Sequence, residues 1–468
     1  MGKLIVRIAS LLLIAAFLPT AVLAAEWNLE NGSIEITATA NAGGGTTQTV
    51  SQGGSSAEDS NPTITSNGNQ TINTITIKAG KDTTANVTIK DTNISTGNAA
   101  IKTEGKGNVN LNVEGINTVS SGDKHAGVEK ANDGNLTIGS ESGEGELTAN
   151  GGEYGAGIGG GDAQSGNDIT ITGGEIIANG GGYGAGIGGG WYGNGSDITI
   201  SGGEVTANGG RFAAGIGGGW SGNGSDITIS GGEVTANGGE AGAGIGGGYL
   251  HSGNDITISG GEVNATGGTT GAGIGGGFNG DASDIAISKD SQVEAKGGAA
   301  NGISDWGASI GCGGNYNGTP GEEVSPDTSG LYTTGKVERK RGDGTVLDTI
   351  TGKVDPSAKS ASSEEPDKRE PLYRVLHLDG STLKHQAETA DGVLTLTVSA
   401  DGAILTGTLR ALGYLQNMGI EKITFTDGTH TATIVLAELI AKGEAEAVYV
   451  LTLGAANTLT LNGEAIDF

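Results

Sequence analysis

The chain has 468 residues, 93 of them Gly, with aromatics at 4% and 53 acidic against 25 basic side chains, for a net charge of -28. A surface this acidic repels phosphate backbones, which excludes nucleic acid as a partner, and with only 7 prolines and no glycine at every third position the chain is not collagen-like. Few aromatics and high net charge also describe disordered chains, but the order of the residues here is strictly periodic.

The first two dozen residues read as a secretory signal. Lys3 and Arg7 precede the apolar run Ile8 to Leu18, Pro19 breaks it, and Val22-Leu23-Ala24 offers a small-residue cleavage site, so residues 1–24 are expected to be removed. No later segment holds ~20 apolar residues, so the mature chain is expected to be exported, without membrane insertion, and monomeric. Its only cysteine, Cys312, cannot form an internal disulfide.

After an N-terminal cap at residues 25–60, residues 61–320 read as a repeat domain. Gly-Ala-Gly-Ile-Gly-Gly-Gly, once with Ala213 at its start, begins at 155, 184, 213, 242 and 271, a period of 29. Asp-Ile-Thr-Ile or Asp-Ile-Ala-Ile intervenes at 168, 197, 226, 255 and 284, followed by Gly-Gly-Glu in the first four units. Each unit holds three short alternating runs separated by Gly, Asn and Ser, the pattern of three strands joined by turns. Alternation points Ile198, Ile200, Val205, Ala207, Ala214 and Ile216 inward and Thr199 and Thr206 outward. One unit cannot bury that face alone, but stacked units place Ile on Ile. The fold class is therefore all-β: a parallel β-helix with three strands per 29-residue coil, rising ~4.8 Å per coil. Asn150, Asn179, Asn208 and Asn237 are expected to form an amide ladder. Residues 321–371 have a linker's polar composition, and residues 372–468, richer in Leu, read as a small α+β domain.

The segments Trp27-Asn28-Leu29-Glu30-Asn31-Gly32-Ser33-Ile34, Asn86-Val87-Thr88-Ile89-Lys90-Asp91, His125-Ala126-Gly127-Val128-Glu129-Lys130 and the glycine-rich coils resemble secreted proteins of gut clostridia described as containing a carbohydrate-binding domain. The resemblance covers about residues 27 to 320. It implies a right-handed β-helix of pectate-lyase-like shape that binds polysaccharide without catalysis, in some members with calcium.

Repetition turns each outward position into a column. Tyr154, Tyr183 and Phe212 stand just before the glycine strand, and Trp191, Trp220, Tyr249 and Phe278 just after it. Residues 28–300 contain only eight aromatics, and the eighth, Tyr192, is adjacent. Seven candidate carbohydrate-binding residues follow. If the glycines give a flat floor and the rings form its rims, the rings can stack on sugar faces. The competing role is inward-pointing corner filler. Asp168, Asp197, Asp226, Asp255 and Asp284 form an acidic column, and Glu146, Glu175, Glu204, Glu233 and Glu262 another. The Asp column is the candidate metal site for a hard cation such as Ca2+, against turn-capping and solvation. A lyase or hydrolase is the enzymatic alternative. It would need a basic residue or a local carboxylate pair, and the deviations available in the repeat are Asp162, Arg211 and His251. A cell-surface adhesin or spacer is the structural alternative, and Arg341-Gly342-Asp343 spells an attachment tripeptide.

Overall fold

The computed structural model describes residues 26–41, 45–299, 307–315, 319–352 and, with short interruptions, 373–466. The expected signal segment and most of the polar stretch after 352 lie outside them. The chain divides into two compact units, Met1–Asp355 and Pro356–Phe468.

The first unit is a parallel β-solenoid whose coils build three long sheets of ten, twelve and eleven strands among the described residues. Successive coils pair in strict register. Ile169, Ile198, Ile227, Ile256 and Ile285 align in one sheet, and Ile158, Ile187, Ile216, Ile245, Ile274 and Ile310 in a second. Glu175, Glu204, Glu233 and Glu262 begin the strands of the third. The isoleucines, with Val205, Val234, Val263 and the alanines two residues beyond them, form one continuous buried core. Each buried Ile or Val contributes about 1.5–3 kcal/mol, so every added coil extends the stabilisation.

The expected amide ladder is present. Nδ2 of Asn179 donates to Oδ1 of Asn150, Asn208 to Asn179 and Asn237 to Asn208, at 2.8, 2.8 and 2.9 Å. Less regular coils upstream join the same stack: Ile101, Val128 and Ile158 are register partners. At the N-terminus Glu26–Asn28 pairs with Thr63–Thr65, and Ile34–Ala40 joins both a parallel coil strand and an antiparallel one.

The solenoid continues past the boundary that composition suggested. Lys336–Lys340 pairs in parallel with the last full coil strand, Gln292–Lys296, and turns back antiparallel as Val346–Thr351. Part of the expected linker is therefore a terminal hairpin. Its polarity reflects an edge strand held by ion pairs: Lys340 to Glu294 at 2.6 Å, and Arg339 Nε to Asp348 at 2.8 Å. Lys336 and Lys340 hold the Glu338 carboxyl down to about 2. Arg341-Gly342-Asp343 lies at the turn of this hairpin, where Thr345 N donates to Asp343 at 2.8 Å.

The second unit has a five-stranded and a four-stranded sheet, with α1 (Leu409–Asn417) and α2 (Leu436–Ile440). Its core includes Leu396, Leu405, Phe425 and Tyr449. The α+β expectation agrees with these elements. Asp427 organises a turn by accepting from the backbone N–H groups of His430, Thr429 and Gly402, which hold its carboxyl well below the usual range.

Candidate functional site: an aromatic strip over the glycine strand

The glycine segments form two-residue strands such as Ile187–Gly188 and Ile216–Gly217. The flat open floor expected from their composition is not there. Residues 184–190 are all buried, as are their equivalents in neighbouring coils. The cause is the pair of turns that flank the strand. Ala185 N donates to Gly189 O and Gly193 N to Gly190 O, so the chain doubles over the strand it has just made. A Cβ at Gly189 would lie 2.0 Å from the Gly193 carbonyl oxygen, and one at Gly188, where φ is +132°, 2.1 Å from that of Gly217. Glycine is required because backbone packs on backbone.

The two flanking turns are also joined to each other. Trp191 N donates to Tyr154 O, Trp220 N to Tyr183 O and Tyr249 N to Phe212 O, at 2.8, 2.8 and 2.9 Å. This stitching brings the two aromatic columns into contact above the glycine strand. Tyr154, Tyr183 and Phe212 stack with centroids 5.5 Å apart at 15° and 20°. Trp191, Trp220, Tyr249 and Phe278 stack at 5.8, 6.4 and 5.5 Å within 13° of parallel. Across the columns, Tyr154 meets Trp191 at 5.3 Å and Phe212 meets Tyr249 at 5.9 Å.

All seven predicted residues thus belong to one strip. None is part of the solenoid's buried core. Six are half-buried, and Phe278 is buried against the end of the strip. Stacking along the column occupies the ring faces, so the strip turns mainly ring edges outward.

Tyr192, next to the second column in sequence, is 53% exposed and packs at 4.5 Å on Trp191 and 4.7 Å on Trp220. Its φ of 59° places it at the αL corner of the turn and swings the side chain out of the columns. Its adjacency to Trp191 was the sequence signal. Arg211 extends the patch: its guanidinium lies 5.0 Å from the Phe212 ring and its Nε donates to Glu240 of the next coil at 2.7 Å.

The acidic columns have structural positions of their own. Asp168, Asp197, Asp226, Asp255 and Asp284 are exposed, each with φ of 52–54°. The pairing passes over them on both strands, joining Asn167 to Ser196 and Ile169 to Ile198, so each Asp is a left-handed residue level with its counterpart in the next coil. Asp tolerates αL better than most side chains, which accounts for the column. Among the described residues no three His, Cys, Asp or Glu side chains gather as a metal site. The Glu column is exposed at the strand starts.

The three deviations from the repeat are not brought together. Arg211 pairs with Glu240, His251 Nδ1 sits 3.2 Å from the Tyr249 carbonyl oxygen, and Asp162, at the head of the second column, faces Lys124 at 3.6 Å.

A family model described as beta helix repeat matches residues 142–162, 169–191, 198–220, 227–249 and 256–278. The chain is a tandem-repeat parallel β-helix protein. Four of the five matched segments end on a ring of the second column, and the first ends on Asp162, so the repeat unit carries the strip position with it. No curated protein and no solved structure matches the chain.

Proposed function

We propose that this β-helix protein is exported and binds polysaccharide non-catalytically along the aromatic strip. One observation carries the reading: all eight aromatics of residues 28–300 collect on one outer strip of the solenoid, where the core has no need of them. Rings placed outside a core at repeated positions are a contact surface. Coils rise at ~4.8 Å, close to the length of one sugar unit in a β-linked chain, so an extended glycan can meet equivalent groups coil after coil. Because the ring faces are stacked on one another, contact falls to ring edges, the Tyr hydroxyls, the indole N–H groups and the exposed ring of Tyr192. The scarcity of basic residues between Lys130 and Lys289, Arg211 alone, favours binding over lyase chemistry.

The test is retention of the purified chain on insoluble plant and host polysaccharides, with released sugar ends measured in parallel. Wild type should be retained without product, and Tyr192→Ala combined with Trp191→Ala should lose retention at least tenfold. Release of product would make the protein an enzyme. No retention on any polymer would leave the spacer or adhesin reading ahead.

A further inference from the structure

The coils are not uniform, and the change occurs at one place. Val128–Asn132 pairs over all five residues with Ile101–Gly105 of the preceding coil, yet only Val128 and Glu129 find partners in the following one, Ile158 and Gly159. Eight residues separate Val128 from Leu136, whereas eleven separate their register partners Ile158 and Ile169. From this coil onward the corner is three residues longer, so it bulges beyond the coil before it. Residues 130–132 lie beneath that step with no strand on one side.

The step leaves an open hollow of ≈440 Å3 lined by Lys130, Asn132, Asp133, Gln164, Asn167 and Asp168 among others. That volume falls in the ~300–1,000 Å3 range of small-molecule sites. Two of its residues are buried polar groups. Asn132 is 4% exposed, and its amide is fixed by Gly107 O at 2.8 Å, Gly134 O at 2.9 Å and the Thr103 hydroxyl at 2.7 Å. Lys130 is 6% exposed and donates from Nζ to Asn132 O at 2.6 Å. An ammonium carries three donors, so two remain without a protein partner among the described residues. Burial pushes the Lys130 ammonium's pKa down, against the opposing charges of Asp168 and Asp133. A buried, under-bonded lysine works against the stability of the fold. Its place at the wall of a cavity therefore points to a ligand.

The charges narrow the ligand. Two carboxylates against one ammonium leave the wall net negative, which disfavours an anion, and the unused Lys130 donors need an acceptor, which a bare cation lacks, while ammonium, amide and carboxylate groups together offer both donors and acceptors. A neutral ligand with a hydroxyl on most of its carbons satisfies both kinds. We propose that the step hollow is a binding site for a single neutral sugar unit, with Lys130 as the central donor to a sugar hydroxyl and Asp133 and Asp168 as acceptors. Choosing a sugar among polyhydroxylated ligands rests on the glycan reading of the aromatic strip. The turn that supplies Gln164 and Asn167 is the coil-equivalent of the one that supplies Trp191 and Tyr192, so the hollow stands one coil before the first ring of the second column, Trp191, and would hold one sugar unit apart from those on the rings.

The experiment is titration of the full chain with free glucose, galactose, mannose and N-acetylglucosamine by ligand-observed NMR, with glucuronate and Ca2+ as charged controls. At least one neutral sugar should bind, glucuronate should not, and Lys130→Met should weaken binding at least tenfold while leaving the melting temperature equal or higher. Gln164→Trp, an exposed turn position that would fill the hollow, should do the same and guards against a folding failure of Lys130→Met. The Tyr192→Ala and Trp191→Ala variant should keep monosaccharide binding and lose polymer retention. Binding of no neutral sugar, or binding indifferent to both hollow variants, overturns the hollow whatever the polymer result. A wild type that binds free sugar but no polymer overturns the strip alone.

Discussion

One outward column of the second sheet passes through two different regimes. In the first coils it reads Glu35, Thr76, Lys102 and Glu129; from the step onward it reads Gly159, Gly188, Gly217, Gly246, Gly275 and Gly311. In the early regime side chains point out and pair along the axis: Glu129, its side chain 3% exposed, meets His125 at 2.7 Å and Lys102 at 3.5 Å. In the later regime the side chains are gone, and longer corners fold over the bare backbone, bringing their aromatic residues together above it. The same column therefore teaches that glycine here is permission for a second layer of chain, and that the strip exists only where that layer does.

Placing an early-coil residue in a later coil should do the most damage. Gly217→Glu, which copies Glu129 into a regular coil, places a Cβ 2.1 Å from the Gly246 carbonyl oxygen at a φ of +128°. We expect no cooperatively folded solenoid, read as loss of the β-sheet circular dichroism signal and of the sharp melt. A smaller effect is expected from Ile227→Ala, which opens the core without touching the turns. It should cost about 2–5 kcal/mol in urea unfolding while leaving polymer retention intact below the transition. Asn208→Ala interrupts the amide ladder at its middle and should cost about 1 kcal/mol, or more where Asn179 and Asn237 are left unpaired. A ladder variant as damaging as Ile227→Ala would mean the corner, and not the apolar core, sets the register.

Much of the fold was legible because a 29-residue period puts one residue type at one place in every coil. Ile198 lands on Ile227, Asn179 on Asn208, and alternation within each run decides which side faces in. The hairpin at 336–351 was not legible, because it closes a sheet edge with Lys, Glu, Arg and Asp, the same residue types that make a linker. The seven rings were legible as columns because the 29-residue period repeats their positions, although alternation alone left inward-pointing corner filler open. Their contact with one another was not, because it depends on hydrogen bonds from Trp191 to Tyr154 and from Trp220 to Tyr183, each spanning 37 residues. Tyr192 was passed over for a related reason: its exposure follows from an αL backbone that the repeat does not announce.

The sequence alone determined the coil, its inward isoleucines and the places where outward residues form columns, since periodicity and alternation are properties of the chain order. Tertiary structure decided what those columns become. Whether a glycine lies open or buried depends on where the neighbouring turn folds. Whether a ring offers its face or its edge depends on the ring 5–6 Å above it. And the hollow at Lys130 arises from a mismatch between two adjacent coils, which neither coil carries by itself.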